Sequence, residues 1–339
     1  MHQHRIDFIH KQSAHCESGA VANLLAHAGI EVSEAMVFGI GAGLFFAYLP
    51  FIRINHLPLI TYRAAAGHLL RRIARLPGFA LERRTFRSPR QAMVELDDCL
   101  ARSIPVGLQT GVFWLPYFPP ALRFHFNAHN LVVYGKQGDN YLISDPVFPE
   151  PVVCPAADLN RARFASGALA PKGRMYHFTR VAPDFDRRLA ITAGIDAVCT
   201  MMLKGFVPLI GVRGMRFLAR RLQRWPDRMG AERSALHLGH VVRMQEEIGT
   251  GGGGFRFMFA AFLQESGLLL AEEPLLTAAS SLTEAGDRWR QFAAMAARIC
   301  KNRAHPEDTY PAMAACIHEC ATLEEQTFRS LHKWLGKRS

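Results

Sequence analysis

Residues 15–29 read HCESGAVANLLAHAG, and the fold follows from how this stretch is read. Ala20, Leu24, Leu25 and Ala28 recur at helical spacing on one face, and Gly29 supplies a C-terminal stop. The helix therefore opens at Cys16. A thiol at a helix N-terminus faces the positive end of the backbone dipole and the unpaired N–H groups of the first turn, which favours the thiolate. Those N–H groups can also hold the oxyanion of a tetrahedral intermediate. Gln12, just upstream, offers its side-chain amide as a second oxyanion donor. Taken alone, the position also suits a small buried cysteine that begins a core helix.

Two segments further along change that balance. Residues 130–135 (NLVVYG) and 140–145 (NYLISD) read as strands joined by Lys-Gln-Gly-Asp, which is hairpin-loop chemistry. His129 precedes the first strand and Asp145 ends the second, so a hairpin brings both to the same end. A five-residue loop over 135–139 sets them directly opposite; a four-residue loop does not, and the sequence leaves the register open. Facing each other, the carboxylate holds one imidazole nitrogen while the other takes the thiol proton. The plainer alternative is a capping histidine and a turn-forming Asp-Pro.

The chain has 339 residues, long for one domain, with 49% hydrophobic and 20% charged residues, a composition that builds a sizeable core. The first ~180 residues mix short helices with strands, Ile104–Thr110 among them. Ser33 reads as the N-cap of a second apolar helix, and a basic helical region follows. Beyond Pro183 the pattern is helical over 186–205, 211–225, 230–248, 255–270, 272–302 and 308–335. This predicts an α+β domain over 1–185 and an all-helical domain over 186–339.

Residues 35–52 (AMVFGIGAGLFFAYLPFI) approach the length of a membrane span, but hold three glycines and a proline between Glu34 and Arg53. They read instead as a buried helix running into a glycine-rich turn. Residues 197–218 are interrupted by Lys204, Pro208, Arg213 and Arg216, so no stable membrane insertion is expected. The seven cysteines are scattered, form no CxxC pair, and follow an N-terminus without an apolar signal core; a reducing cytoplasm is expected.

Forty Lys and Arg against 29 Asp and Glu give a net charge of +11. The charge is clustered: Arg71, Arg72 and Arg75; Arg83, Arg84, Arg87 and Arg90; and Arg213, Arg216, Arg220, Arg221 and Arg224, the last group on one helix face. Such clusters form a solvated face or meet an acidic partner. With no zinc-finger, RRM or KH signature, nucleic acid is not the expected partner.

The residues also carry a resemblance. Residues 15–43, HCESGAVANLLAHAGIEVSEAMVFGIGAG, resemble the N-terminal domain of the butirosin biosynthesis protein H family. Residues 128–146, AHNLVVYGKQGDNYLISDP, resemble the His–Asp hairpin of that family and of bacteriocin-processing papain-like peptidases. Residues 249–267, GTGGGGFRFMFAAFLQESG, are similar to the helical domain that accompanies it. The resemblance implies a papain-like cysteine-protease-type N-terminal domain acting as an acyltransferase, with Cys16, His129 and Asp145 at the catalytic positions. It implies an acyl or aminoacyl donor on the phosphopantetheine of an acidic acyl carrier protein, a small amine acceptor, and no cofactor bound by the chain itself. The family's aminoglycoside acceptor is not carried over, because nothing else in the sequence resembles aminoglycoside recognition.

Within that expectation three residues have secondary readings. Glu34, in the first turn after Ser33, either complements the helix dipole or grips a cationic amine. The glycine run before Phe255, with Arg256, either cradles the pantetheine phosphate or is a flexible connection. His125 and His129 stand four apart and with Cys16 could hold zinc, but their context is loop and strand rather than helix, so no metal is expected. The competing functions are a cysteine peptidase, amidase or thioesterase with the same triad, and a binding protein that has lost its chemistry.

Overall fold

The protein is described by a computed structural model over residues 3–54, 56–205, 207–248 and 251–336. The first part of the chain runs β1 (Gln3–Arg5), α1 (Cys16–His27), α2 (Glu34–Ile40), β2 (Leu44–Ile54), β3 (Leu57–Arg63), α3 (His68–Ile73), β4 (Ala80–Arg84) and α4 (Pro89–Ala101). It continues through β5 (Val106–Thr110), β6 (His129–Gln137), β7 (Asn140–Ser144), β8 (Val152–Pro155), α5 (Ala156–Arg163) and β9 (Met175–Arg180). Helices α6 (Arg187–Lys204), α7 (Gly211–Leu222), α8 (Trp225–Met229), α9 (Ala231–Glu246), α10 (Arg256–Leu270), α11 (Glu273–Cys300) and α12 (Tyr310–Gly336) follow. No helix among the described residues is long and apolar enough to cross a membrane.

Two compact units result, one of Met1–Val37 with Leu69–Phe185, the other of Phe38–His68 with Asp186–Ser339. In the first, an antiparallel sheet runs in the order β4-β9-β5-β6-β7-β8. Along one edge of β6, β5 pairs with residues 129–133 and β1 with 135–137. Leu108, Leu131, Val133 and Ile143 lead a core that also takes Leu96 and Leu100 from α4 and Leu159 from α5.

The β6–β7 hairpin has a shorter loop than either sequence reading: Gln137 pairs with Asn140 across Gly138 and Asp139. Gly138 has φ +58°, a conformation the tight turn needs and side chains resist. Continued unbroken, that register would send His129 and Asp145 to opposite faces. Instead the pairing slips between Val133 and Gly135, leaving Tyr134 as the extra residue, and resumes with Val132 opposite Ser144. One inserted residue reverses which face every later side chain takes, so His129 and Asp145 come to the same face. The bulged Tyr134 carbonyl is not orphaned; it accepts from Ile6 N–H at 2.9 Å, just beyond β1.

One expectation about residues 35–52 is corrected. Residues 35–52 are not one helix and a turn: α2 stops at Ile40, Ala42 takes a positive φ of 51°, and β2 starts at Leu44. The aromatic run Phe45-Phe46-Ala47-Tyr48 suits a half-buried strand. Residues 186–339 are helical as expected, and the compact unit they form also takes in the β2–β3 hairpin. Phe46 and Tyr62 from this hairpin pack on Trp289 of α11, with Tyr62 edge-on at 5.4 Å. The basic helical region expected before β5 likewise contains strand β4.

Candidate active site

Cys16 is the first residue of α1, which lies against β6. His15 is the N-cap, its side chain accepting from Ser18 N–H. Gly19 sits where α1 comes closest to the end of the hairpin: a Cβ there would meet Pro146 Cβ at 2.7 Å. Ser13 N–H donates to Pro146 O at 2.7 Å, and Asn23 Nδ2 reaches Ser144 Oγ at 3.3 Å. The helix that carries the thiol is thus bonded to the segment that carries Asp145.

His129 and Asp145 are joined directly, Nε2 to Oδ2 at 2.7 Å, with Asp145 fully buried. The remaining ring nitrogen, Nδ1, is the one left for Cys16, with whose thiol the imidazole is hydrogen-bonded. Burial pulls the imidazole towards neutrality, but the Asp145 charge and hydrogen bond, aided by Cys16, raise its pKa to about 10. The sheet end therefore holds an imidazole between the Cys16 sulfur and a carboxylate, with its protonated form favoured by the carboxylate.

The donors at the start of α1 are mostly committed. Ala14 and His15 N–H groups go to Glu34 at 2.9 and 2.6 Å, and Gly19 N–H goes to His15 O. The Cys16 N–H has no hydrogen-bond partner among the described residues, which leaves it available to a developing oxyanion.

Two family models match the sequence. Residues 15–146 match the family model of the butirosin biosynthesis protein H N-terminal domain. Residues 157–331, just over half of the chain, match that of a domain of unknown function, DUF4872. The chain belongs to the DUF4872 family and carries, ahead of that domain, one similar to the butirosin biosynthesis protein H N-terminal domain. Among solved structures, one described as a C39-like peptidase from Bacillus anthracis is similar at a TM-score of 0.37 and 16% identity, over 54% of this chain and 98% of that one. No curated protein matches the sequence.

In this member of the family the secondary sequence readings fare differently. Glu34 is occupied inside the protein: it accepts Ala14 and His15 N–H and the Ser18 hydroxyl at 3.1 Å. Burial lifts its carboxyl above the ordinary range, and these bonds pull it back. It fixes the approach to the nucleophile instead of offering a free carboxylate. Gln12 is exposed and lines a pocket of about 300 Å³ walled by Lys11, Asn23, Val32 and Glu34; Cys16 and His129 are not in that wall.

Arg256 is corrected outright. It is fully buried, paired to Glu324 through Nε at 2.9 Å and Nη2 at 2.8 Å, and stacked near Tyr62 and Trp289. The glycine run, described from Gly251 onward, is also taken: Gly253 N–H donates to the Glu246 carboxylate at 3.1 Å. A carboxylate of the chain itself fills the place proposed for a phosphate. His125 is exposed and stacks on Phe113 at 4.2 Å, apart from the buried His129, and no metal-binding group of side chains occurs among the described residues.

Sequence reasoning missed Tyr117, whose hydroxyl donates to Asp145 Oδ2 at 2.8 Å, and Phe118, whose ring stands edge-on to His129 at 5.4 Å. The signal was present in VFWLPYFPP, residues 112–120, an aromatic run directly before the base. It also missed Arg174, whose charged neighbours are Arg83, Arg71 and Glu17, the residue after Cys16. Burial and those two guanidinium groups hold the Arg174 pKa down, against the opposing pull of Glu17. Arg83 lies in β4 opposite Tyr176 of β9, and Arg174 immediately precedes β9.

Proposed function

We propose that the protein is a cysteine acyltransferase that moves an acyl or aminoacyl group from a carrier-protein thioester to an amine. The observation that carries this reading is the buried Asp145–His129 pair with the Cys16 thiol on the other ring nitrogen. In the first half-reaction Cys16 sulfur attacks the thioester carbonyl. The oxyanion forms beside the Cys16 N–H, and the carrier thiolate leaves, taking its proton from the His129 imidazolium. In the second, neutral His129 takes a proton from the attacking amine, and Cys16 leaves as thiolate beside the re-formed imidazolium. The sum is acyl thioester plus amine giving amide plus carrier thiol, with no cofactor held by this chain.

The donor's class is supported by charge. Arg71 and Arg83 are exposed and, like the nucleophile's neighbour Glu17, lie near enough to Arg174 to act on its charge. Three guanidinium groups against one carboxylate leave this place net positive and favour an anionic donor, which fits a phosphopantetheine on an acidic carrier. Intact-mass measurement tests the reading. Mixed with acyl-carrier, the enzyme should gain one acyl group on Cys16 and lose it on addition of amine, with formation of N-acyl product. Decay of the adduct to free acid at the same rate with or without amine would assign a hydrolase instead, and absence of any adduct would leave a binding protein.

A further inference from the structure

Asp145 carries more donors than an orienting carboxylate requires. Its Oδ2 takes both His129 Nε2 at 2.7 Å and the Tyr117 hydroxyl at 2.8 Å, while Oδ1 accepts Val147 N–H at 3.2 Å. Tyr117 belongs to the segment crossing from β5 to β6, whose two ends pair at Thr110 and His129. Its ring is fixed: Phe148 stands against it at 5.3 Å and against Phe118 at 4.8 Å, and Phe118 in turn meets the His129 ring. The phenol is therefore aimed at one oxygen by the same aromatic group that closes over the base.

Sharing that oxygen has a chemical effect. Two donors on Oδ2 divide its charge, so the imidazolium is held less tightly than it would be by Asp145 alone. An imidazolium held too tightly gives its proton reluctantly to the leaving thiol and stays occupied when a base is needed for the amine. The groups facing this system are few. His129 meets Cys16 from α1 and Asp145 from the end of β7. Tyr117 meets Asp145 and, more remotely, Cys154 of β8, while Tyr176 of β9 lies near Cys16 and Glu17.

We propose that Tyr117 is a positioning residue that sets how readily His129 exchanges its proton, by sharing Asp145 Oδ2 with it. The inference rests on the acyl-transfer reading of Cys16, His129 and Asp145. Tyr117→Phe keeps the ring and its packing and deletes only the hydroxyl. With an N-acetylcysteamine thioester and a primary amine near neutral pH, kcat should fall about ten-fold, the effect of one hydrogen bond to a charged group, with KM for the thioester unchanged. The alkaline limb of kcat/KM should move up by roughly one pH unit while the acid limb stays.

A readout independent of turnover is the titration of the His129 ring by ¹⁵N NMR, which should shift upward in the variant in the same way. If wild type transfers no acyl group but the ring titration shifts, the acyl-transfer reading fails and the role of Tyr117 stands. Unmoved alkaline limb and unmoved ring titration overturn the proposal, whether kcat is unchanged or falls with a lowered Tm.

Discussion

The two units each bury a carboxylate bonded to a cation and to an aromatic donor. Asp145 takes His129 and Tyr117; Glu324 takes Arg256 and the Trp289 indole N–H at 2.8 Å. Both carboxylates are fully buried. They differ in the cation. A guanidinium does not release its proton in a protein, whereas an imidazolium does so within the range that neighbours can tune. They differ also in what stands on the far side: a thiol next to His129, and the faces of Tyr62 and Trp289 next to Arg256. A buried ion pair alone marks no site. A labile proton with a nucleophile beside it does.

The largest effects should fall on the first network. Cys16→Ala should abolish the acyl adduct, and His129→Ala should lower kcat by about 10⁴ or more while circular dichroism shows an intact fold. Asp145→Asn should cost less, because Asp145 orients and stabilises without transferring the proton. Full activity in His129→Ala would break the contrast between the two networks.

The second network should answer in stability. Glu324→Gln leaves the Arg256 charge buried without its partner and should destabilise the protein by about 3–5 kcal/mol in chemical unfolding. Acylation of Cys16 per folded molecule should be unchanged. A loss of acylation at unchanged stability would show that Arg256 and Glu324 belong to the chemistry after all.

A smaller, kinetic effect is expected from surface charge. Reversal of Arg71 and Arg83 to Glu should raise KM for carrier-bound donor several-fold with kcat nearly constant, and leave a small thioester unaffected. Added salt, which shortens the screening length from ~10 Å at 0.1 M to ~3 Å at 1 M, should mimic the reversal in the wild type. Equal sensitivity of the small thioester would remove the carrier from the proposal.

A separate effect is on pH-dependent stability. His129 has a folded pKa raised to about 10 from an ordinary 6.5. Its contribution is therefore fully present below pH 6.5 and is lost as pH rises towards 10. The Tm difference between wild type and His129→Gln should shrink across that interval, and a difference that grew with pH would contradict an imidazolium at this site.

Much of this was legible in the sequence because the signals are short-range. Helical spacing from Ala20 to Ala28 with Gly29 behind it places Cys16 at a helix start, and α1 indeed begins there. The C-terminal helices follow their apolar periodicity closely, from α6 to α12. Strand β4 was hidden because Arg83 and Arg84 dominate a segment whose partner, β9, lies far along the chain.

The sequence by itself determined which residues could react: a thiol at a helix N-terminus, and a histidine and an aspartate at one end of a hairpin. The helix dipole and the turn act over a few residues, so local sequence suffices to read them. Tertiary structure alone decided that His129 and Asp145 share a face, because the bulge at Tyr134 resets the register where β1 joins β6. It alone brought Tyr117 to Asp145, 28 residues away, and gave Arg256 to Glu324, 68 residues away. In each case a buried polar group had to find a partner wherever packing put one, since leaving it unpaired costs more than a local preference can return.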